Sequence, residues 1–375
     1  MKIYLVGGAV RDQLLNIPVK DRDYLVVGST PQEMLDLGFK PIGKDFPVFL
    51  HPKTKNEYAL ARTEKKVGIG HKGFIFHASP DITIEEDLER RDITINAIAM
   101  DESNNYIDPY GGMKDLKYKV IRHVSSAFQE DPLRVMRVAR FYAKLDSFSI
   151  HKDTSDLMQK VVTKGEIQNL SAERIMNELH KGFEEENAFN MLAVLNDSGA
   201  LSIIFPEIAF EKNREGIKKV LHLSNRSSEN SKQRRLLLFL LTANFNHNKI
   251  DTKIYDNISK ILLPSSEKKI ISLIEKFINE LVSFFSLEQS DQLDCLYNFD
   301  FFRRPQLFYE AIEILSLVLE SNGSNLESIT LSEKFVKSYQ KLVNNHQNII
   351  DPTFSGDEIK LSIYNDRLML LKKLK

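Results

Sequence analysis

Two glycines and two aspartates constrain this chain most. It opens MKIYLVGGAVRDQLLNIPVKDRDYLVVG, where an apolar run from Ile3 to Val6 stops at Gly7-Gly8 and Arg11 and Asp12 follow within a turn. A second apolar run, Tyr24 to Val27, begins directly after Asp21-Arg22-Asp23. Glycines after a strand let backbone N–H groups approach a phosphate closely, and a following helix N-terminus favours the same anion. Residues two apart in a strand share a face, so Asp21 and Asp23 are expected to present their carboxylates side by side. Two carboxylates repel unless a cation lies between them, and Mg²⁺ takes oxygen ligands of this kind. Alone, either motif is also what an ordinary surface turn presents. Together on two strand-like runs they read as metal-assisted phosphoryl or nucleotidyl transfer, with no substrate named.

At 375 residues the chain exceeds one typical domain, and 42% hydrophobic residues suffice for real cores. Lys+Arg 51 against Asp+Glu 52 gives a net charge of -1, so any nucleic-acid surface has to be a local patch. A single cysteine, Cys295, excludes an internal disulfide framework and a multi-cysteine zinc site. No signal-peptide pattern precedes the first strand, which argues for a cytoplasmic protein. The densest apolar run, Leu236 to Leu241, is far below the ~18 residues a membrane span needs.

Residues 1–125 alternate short β-like runs with Gly/Pro/Asp turns. Thr30 as N-cap, Pro31 at N1 and Gly38 past the end predict a helix from about Pro31 to Leu37. Phe46 to Leu50 and Glu57 to Ala61 read as strands. Residues 62–90 carry both charge signs and little periodicity and are expected to form a long mobile loop. Arg90-Arg91-Asp92 opens ITINAIAM, and the glycines of DPYGG at 108–112 permit a turn with positive φ. From about Gln129 the texture is helical to the end. Ser171 is expected to cap a helix reaching Phe183, and another runs from about Ala188 to Ser198 and stops at Gly199. Polar linkers are read at 224–232 and 321–327. The expected architecture is α+β: residues 1–125 a head with a mixed or antiparallel sheet, 126–208 a helical neck, 209–375 a helical body and tail.

Asp131-Pro132 is a good helix start, and Arg134, Arg137 and Arg140 then recur every three residues on one face. Such a face is usually solvated and laced with salt bridges. The other reading is chemical. A neighbouring Asp and Arg offer the acceptor and planar donor fork that base-edge recognition requires, and further arginines suit a triphosphate. The residues alone leave these two readings open.

The order and spacing of GGAVRD at 7–12, DRDYLVVG at 21–28, RRDITINAIA at 90–99, DPYGG at 108–112 and EDPLRVMRVARF at 130–141 resemble the bacterial CCA-adding enzymes. These are tRNA nucleotidyltransferases of the class that includes bacterial poly(A) polymerases, and the resemblance runs from residue 1 to about 208. It implies a polymerase-β-like nucleotidyltransferase head. It further implies that Asp21 and Asp23 are the catalytic residues and hold Mg²⁺, and that Gly8, Arg11 and Arg91 bind the nucleotide phosphates. Asp131 and Arg134 would read the Watson–Crick edge of CTP or ATP, oriented by Glu130, with Arg137 and Arg140 also on the nucleotide. The 62–90 segment matches the flexible loop associated with the switch from C to A addition. The implied partner is tRNA, held at its acceptor arm and 3′ end; neither a membrane nor a protein partner is implied.

Many relatives carry a histidine–aspartate phosphohydrolase domain, whose metal ligands are missing here, so phosphatase activity is not expected. His222, His247 and His346 are isolated and read as surface or packing residues. A poly(A) polymerase or an A-adding enzyme would share the head chemistry. A tRNA-binding protein without activity is the reading from a different class, and it requires the loss of a key residue that this sequence retains.

Overall fold

The structure is a computed structural model that describes residues 1–42, 47–66, 74–206, 208–227, 233–246, 249–250, 263–323 and 355–373. It divides into two compact units, Met1–Pro206 and Glu207–Lys375.

The first unit is built on a seven-stranded sheet in the order β3-β4-β5-β2-β1-β8-β9. These strands are β1 (Lys2–Val6), β2 (Asp23–Val27), β3 (Lys40–Ile42), β4 (Val48–Leu50), β5 (Glu57–Leu60), β8 (Ala99–Met100) and β9 (Tyr106–Ile107). The β2–β5 pair is parallel and the other pairs are antiparallel, so the sheet is mixed as expected. Its central strands are apolar enough to be covered on both faces. Val6, Leu25, Ala61 and Ala99 pack with Leu88 in one core, and Val26, Leu60, Phe49 and Met34 pack in another. Register decides what the sheet displays. Val6 stands opposite Asp23, and Asp23 is beside Glu57, so one row across three strands ends in two carboxylates.

Turn and cap chemistry places the helices around this sheet. α1 (Gly8–Leu14) follows Gly7, whose φ of 69° and ψ of -131° only a glycine adopts without strain. α2 (Pro31–Asp36) starts on a Thr30/Glu33 capping box, with Gly38 at φ 82° beyond it. The expected loop at 62–90 is corrected in its described parts. Arg62–Lys66 (β6) and Phe74–Ala78 (β7) form an antiparallel hairpin, and Thr83 with Glu86 makes a capping box for α3 (Ile84–Glu89). The period-2 run FIFHA and the T-x-x-E cap carried that signal; residues 67–73 lie outside the described residues. Asp108 then caps α4 (Gly112–Tyr118), its carboxylate accepting from Gly112 N at 2.6 Å and Met113 N at 2.8 Å.

Helices complete the unit. α5 (Leu133–Lys144) packs against α7 (Ala172–Phe183) and α8 (Ala188–Asp197), with α6 (Lys152–Thr163) and α9 (Ala200–Ile204) alongside. Ser171 caps α7 as its position in the sequence predicted, and Gly199 at φ 82° follows α8. Val135, Val138 and Ala139 of α5 have no exposed surface. That apolar stripe fixes the rotation of α5 and hence the direction of its arginines.

The second unit is helical over Arg214–Ser224, Arg235–Ala243, Ser265–Val282, Gln289–Asn298, Pro305–Ser321 and Gly356–Lys372. The run Leu236 to Leu241 is a core helix, wholly buried. Phe284, Phe299, Phe301 and Phe308 form its aromatic centre. Among the described residues no helix is long and apolar enough to cross a membrane. His247, His346, Phe46, and the far parts of both expected linkers lie outside the described residues.

Candidate active site

A cavity of about 550 Å³ opens in the first unit between the carboxylate row of the sheet and helix α5. Among the described residues nine cationic side chains line it (Arg11, Arg62, Arg90, Arg91, Arg134, Arg137, Arg140, Arg174 and Lys144), against four acidic ones, Asp23, Glu57, Asp92 and Asp131. That surplus suits a polyanion. Gly8, Arg11, Asp23, Arg91, Asp131, Arg134, Arg137 and Arg140, eight of the residues marked in the sequence, line this one space. Asp21 and Glu130 do not.

Asp21 departs from the expected strand geometry. β2 begins only at Asp23, because β1 ends at Val6 and the left-handed turn at Gly7 leaves nothing to pair with residues before Asp23. Asp21 is therefore exposed in unpaired chain, although its charge still reaches Asp23. Loss of solvent raises the Asp23 carboxyl above its ordinary value; Arg91 opposes this and Asp21 adds to it. Glu57, which sequence reasoning missed, supplies the neighbouring carboxylate in register. The set is all hard oxygen and gathers negative charge that Arg91 only partly offsets, so it fits a hard divalent cation. Among the described residues no three ligating side chains form a closed metal site.

Opposite, the arginines are held one by one. Arg11 is buried; it pairs with Asp12 at 2.6 Å and donates to Asn96 Oδ1 at 2.6 Å. Arg91 lies across the β1–α1 turn, where a Cβ at Gly7 would come within 2.8 Å of its Nη1. Arg91 Nε is buried and makes no hydrogen bond among the described residues. Arg137 donates to Asp92 Oδ2 at 2.7 Å, and Arg140 to Glu178 Oε2 at 2.6 Å. The solvated-face reading of these arginines is thereby corrected. They are tethered to buried acids in a cavity wall. Asp92 and Glu178 were missed because their partners are 45 and 38 residues away in sequence.

At the N-terminal end of α5, Asp131 performs two tasks. Its Oδ1 accepts from Leu133 N at 3.1 Å, capping the helix one residue later than expected, and its Oδ2 accepts from Arg174 at 2.8 Å. Arg134 is buried and donates to the carbonyls of Ala127 at 2.6 Å and Arg90 at 2.5 Å. These contacts fix an acceptor and a donor fork side by side. Glu130 closes the 3-10 turn Ser126–Glu130, and the contacts that orient Asp131 and Arg134 come from elsewhere.

A mixed sheet with carboxylates on adjacent strands, facing an arginine-walled cavity, defines a nucleotidyltransferase of polymerase type. In agreement, the family described as "Poly A polymerase head domain" matches residues 3–122, and "Probable RNA and SrmB- binding site of polymerase A" matches residues 147–211. The CCA-adding enzyme of Coxiella burnetii (strain RSA 331 / Henzerling II) is 45% identical over 90% of this chain and 87% of its own. That of Actinobacillus succinogenes is 39% identical over 100% of this chain and 99% of its own. The solved Thermotoga maritima CCA-adding enzyme complexed with tRNA has the same fold, with a TM-score of 0.67 at 23% identity over 100% of this chain and 90% of that one. The protein belongs to the family of CCA-adding enzymes.

Proposed function

We propose that this cavity adds the 3′-terminal CCA to tRNA from CTP and ATP, releasing pyrophosphate. One observation carries the reading: the acceptor and donor of Asp131 and Arg134 lie in the same cavity as the Asp23 carboxylate and the phosphate-suited arginines. Base choice and transfer can therefore occur on one bound nucleotide without a nucleic-acid template.

Cytosine and adenine both present an amino donor beside a ring-nitrogen acceptor, which complements a carboxylate next to a guanidinium. Uracil presents the reverse pattern and leaves both protein groups opposed. Arg11, Arg91, Arg137 and Arg140 hold the triphosphate through charge-assisted bonds, and Gly7-Gly8 lets the chain pass close to it. Asp23, with Glu57 beside it in register, would hold Mg²⁺ together with Asp21 of the unpaired chain before β2. A divalent cation held by these carboxylates would supply charge neutralisation at the reacting phosphate and make the attacking hydroxyl more acidic. The tRNA 3′-hydroxyl attacks the α-phosphate in line, and the arginines retain the departing pyrophosphate until it diffuses away. Among the described residues no histidine lines the cavity, and the transfer as written requires none as a base.

The helical second unit is read as the body and tail that grip the tRNA acceptor arm. The site of action is the cytoplasm, where tRNA, CTP and ATP meet. Relatives named CCA-adding enzymes that span the chain favour this over addition of A alone. Incubating the protein with tRNA lacking its terminus tests the reading. Addition of C from CTP alone is expected, then of A once ATP is supplied; failure to incorporate CTP overturns it.

A further inference from the structure

Phe141 lines the cavity yet is only 5% exposed, and three guanidinium groups converge on its ring. The central carbons lie 4.3 Å from the ring centroid for Arg140, 5.2 Å for Arg11 and 5.7 Å for Arg137. Arg11 comes from α1, and the others from α5, so the ring is the common surface on which two elements bring their cations together. Three like charges this close repel. Each is relieved along an edge by an acid, Arg11 by Asp12, Arg137 by Asp92 at 2.7 Å and by Glu178 at 3.8 Å, and Arg140 by Glu178 at 2.6 Å. Glu178 links Arg137 to Arg140, and the Phe141 ring contacts both of them and Arg11 as well.

We infer that Phe141 is a positioning residue for the nucleotide triphosphate: its ring is the platform that keeps Arg11, Arg137 and Arg140 converged on the phosphates. An aromatic face attracts guanidinium cations without donating or accepting a hydrogen bond. The ring takes up none of their N–H groups, so those not already directed at Asp12, Asn96, Asp92 and Glu178 are left for an anion. An aliphatic side chain of similar size fills the space but lacks that attraction, and the guanidiniums then separate. Base choice, assigned to Asp131 just before α5 and to Arg134 in its first turn, about two to three turns before Phe141, is untouched by the ring.

The inference rests on the proposed function, but its test does not need tRNA. Binding of inorganic pyrophosphate is measured by calorimetry for the wild type, Phe141→Leu and Phe141→Tyr. The leucine variant is expected to bind roughly tenfold more weakly, and the tyrosine variant, which keeps the ring, close to the wild type. In turnover assays Phe141→Leu should raise KM for CTP and ATP by the same factor with the CTP:ATP preference unchanged. Wild-type pyrophosphate affinity in Phe141→Leu overturns the inference. So does equal weakness in both variants, which would mark a packing role, or a changed CTP:ATP preference. Phe141→Met is read in the same way if the leucine variant does not fold. Pyrophosphate binding that depends on the ring, in a protein that adds neither C nor A, would leave this assignment standing and remove the proposed function.

Discussion

Asp92 and Arg137, from the segment after α3 and the middle of α5, are joined by two 2.7 Å contacts to a single carboxylate oxygen. The other oxygen accepts from Ile93 N at 2.9 Å and from the Asn96 amide at 3.1 Å. This carboxylate ties helix α5 to the strand side of the cavity. It turns a charged helix face that would ordinarily be solvated into a cavity wall.

The Asp92 pair predicts a pH dependence. Burial by itself would raise this carboxyl, but the Arg137 charge and the hydrogen bonds outweigh it and lower it from 3.8 to about 2. A group that gives up its proton more readily when folded stabilises the native state above its unfolded value, and that stability drains as pH falls through its folded one. The contribution, about 2 kcal/mol, should be complete at neutral pH and disappear between pH ~4 and ~2. Urea midpoints measured across this range should fall more steeply for the wild type than for Asp92→Asn. Parallel curves would show that the pair contributes nothing.

Gly7→Ala should damage both stability and nucleotide binding. The backbone there is held in a region reserved for glycine, a strain of about 1–3 kcal/mol for alanine, and the new Cβ meets Arg91 Nη1 at 2.8 Å. Melting temperature should drop, and KM for both nucleotides should rise. In an Arg91→Ala background the KM increase should largely vanish while the stability loss remains. A full KM increase without Arg91 would show that the glycine serves the nucleotide directly.

Asp23→Asn should abolish transfer while leaving tRNA binding near wild type. The same variant should lose most of the rise in melting temperature expected from Mg²⁺ in the wild type, because Glu57 is then the one carboxylate of the row left facing the cavity. Wild-type turnover in Asp23→Asn, or an unchanged Mg²⁺ response, contradicts the metal assignment.

The parts legible in the sequence were those written in local chemistry. Thr30, Pro31 and Gly38 mark α2, Ser171 marks α7, and the glycines at 7–8 and 111–112 mark their turns, because each signal is complete within a few residues. Sheet register is not local. That Glu57 falls beside Asp23, and that Asp21 falls short of the strand, depends on which strands neighbour β2 and where β1 stops. The acids that hold the arginines were invisible for the same reason, since Asp92, Glu178 and the Arg174 partner of Asp131 reach them only through the packing of α5 against its neighbours. The hairpin and α3 within 62–90 were legible and were missed: the charges of EKK and EED obscured an alternating run and a capping box.

The central claim is that one cavity divides its work, the sheet carboxylates performing transfer and the start of α5 choosing the base. Single-turnover incorporation of CTP, ATP and UTP into tRNA lacking its terminus, by Asp131→Ala beside the wild type, tests it most directly. The claim predicts that the variant still transfers nucleotides but loses roughly tenfold to a hundredfold of its discrimination against UTP, the worth of one good base-edge contact. Discrimination at the wild-type level in an active Asp131→Ala enzyme would contradict it.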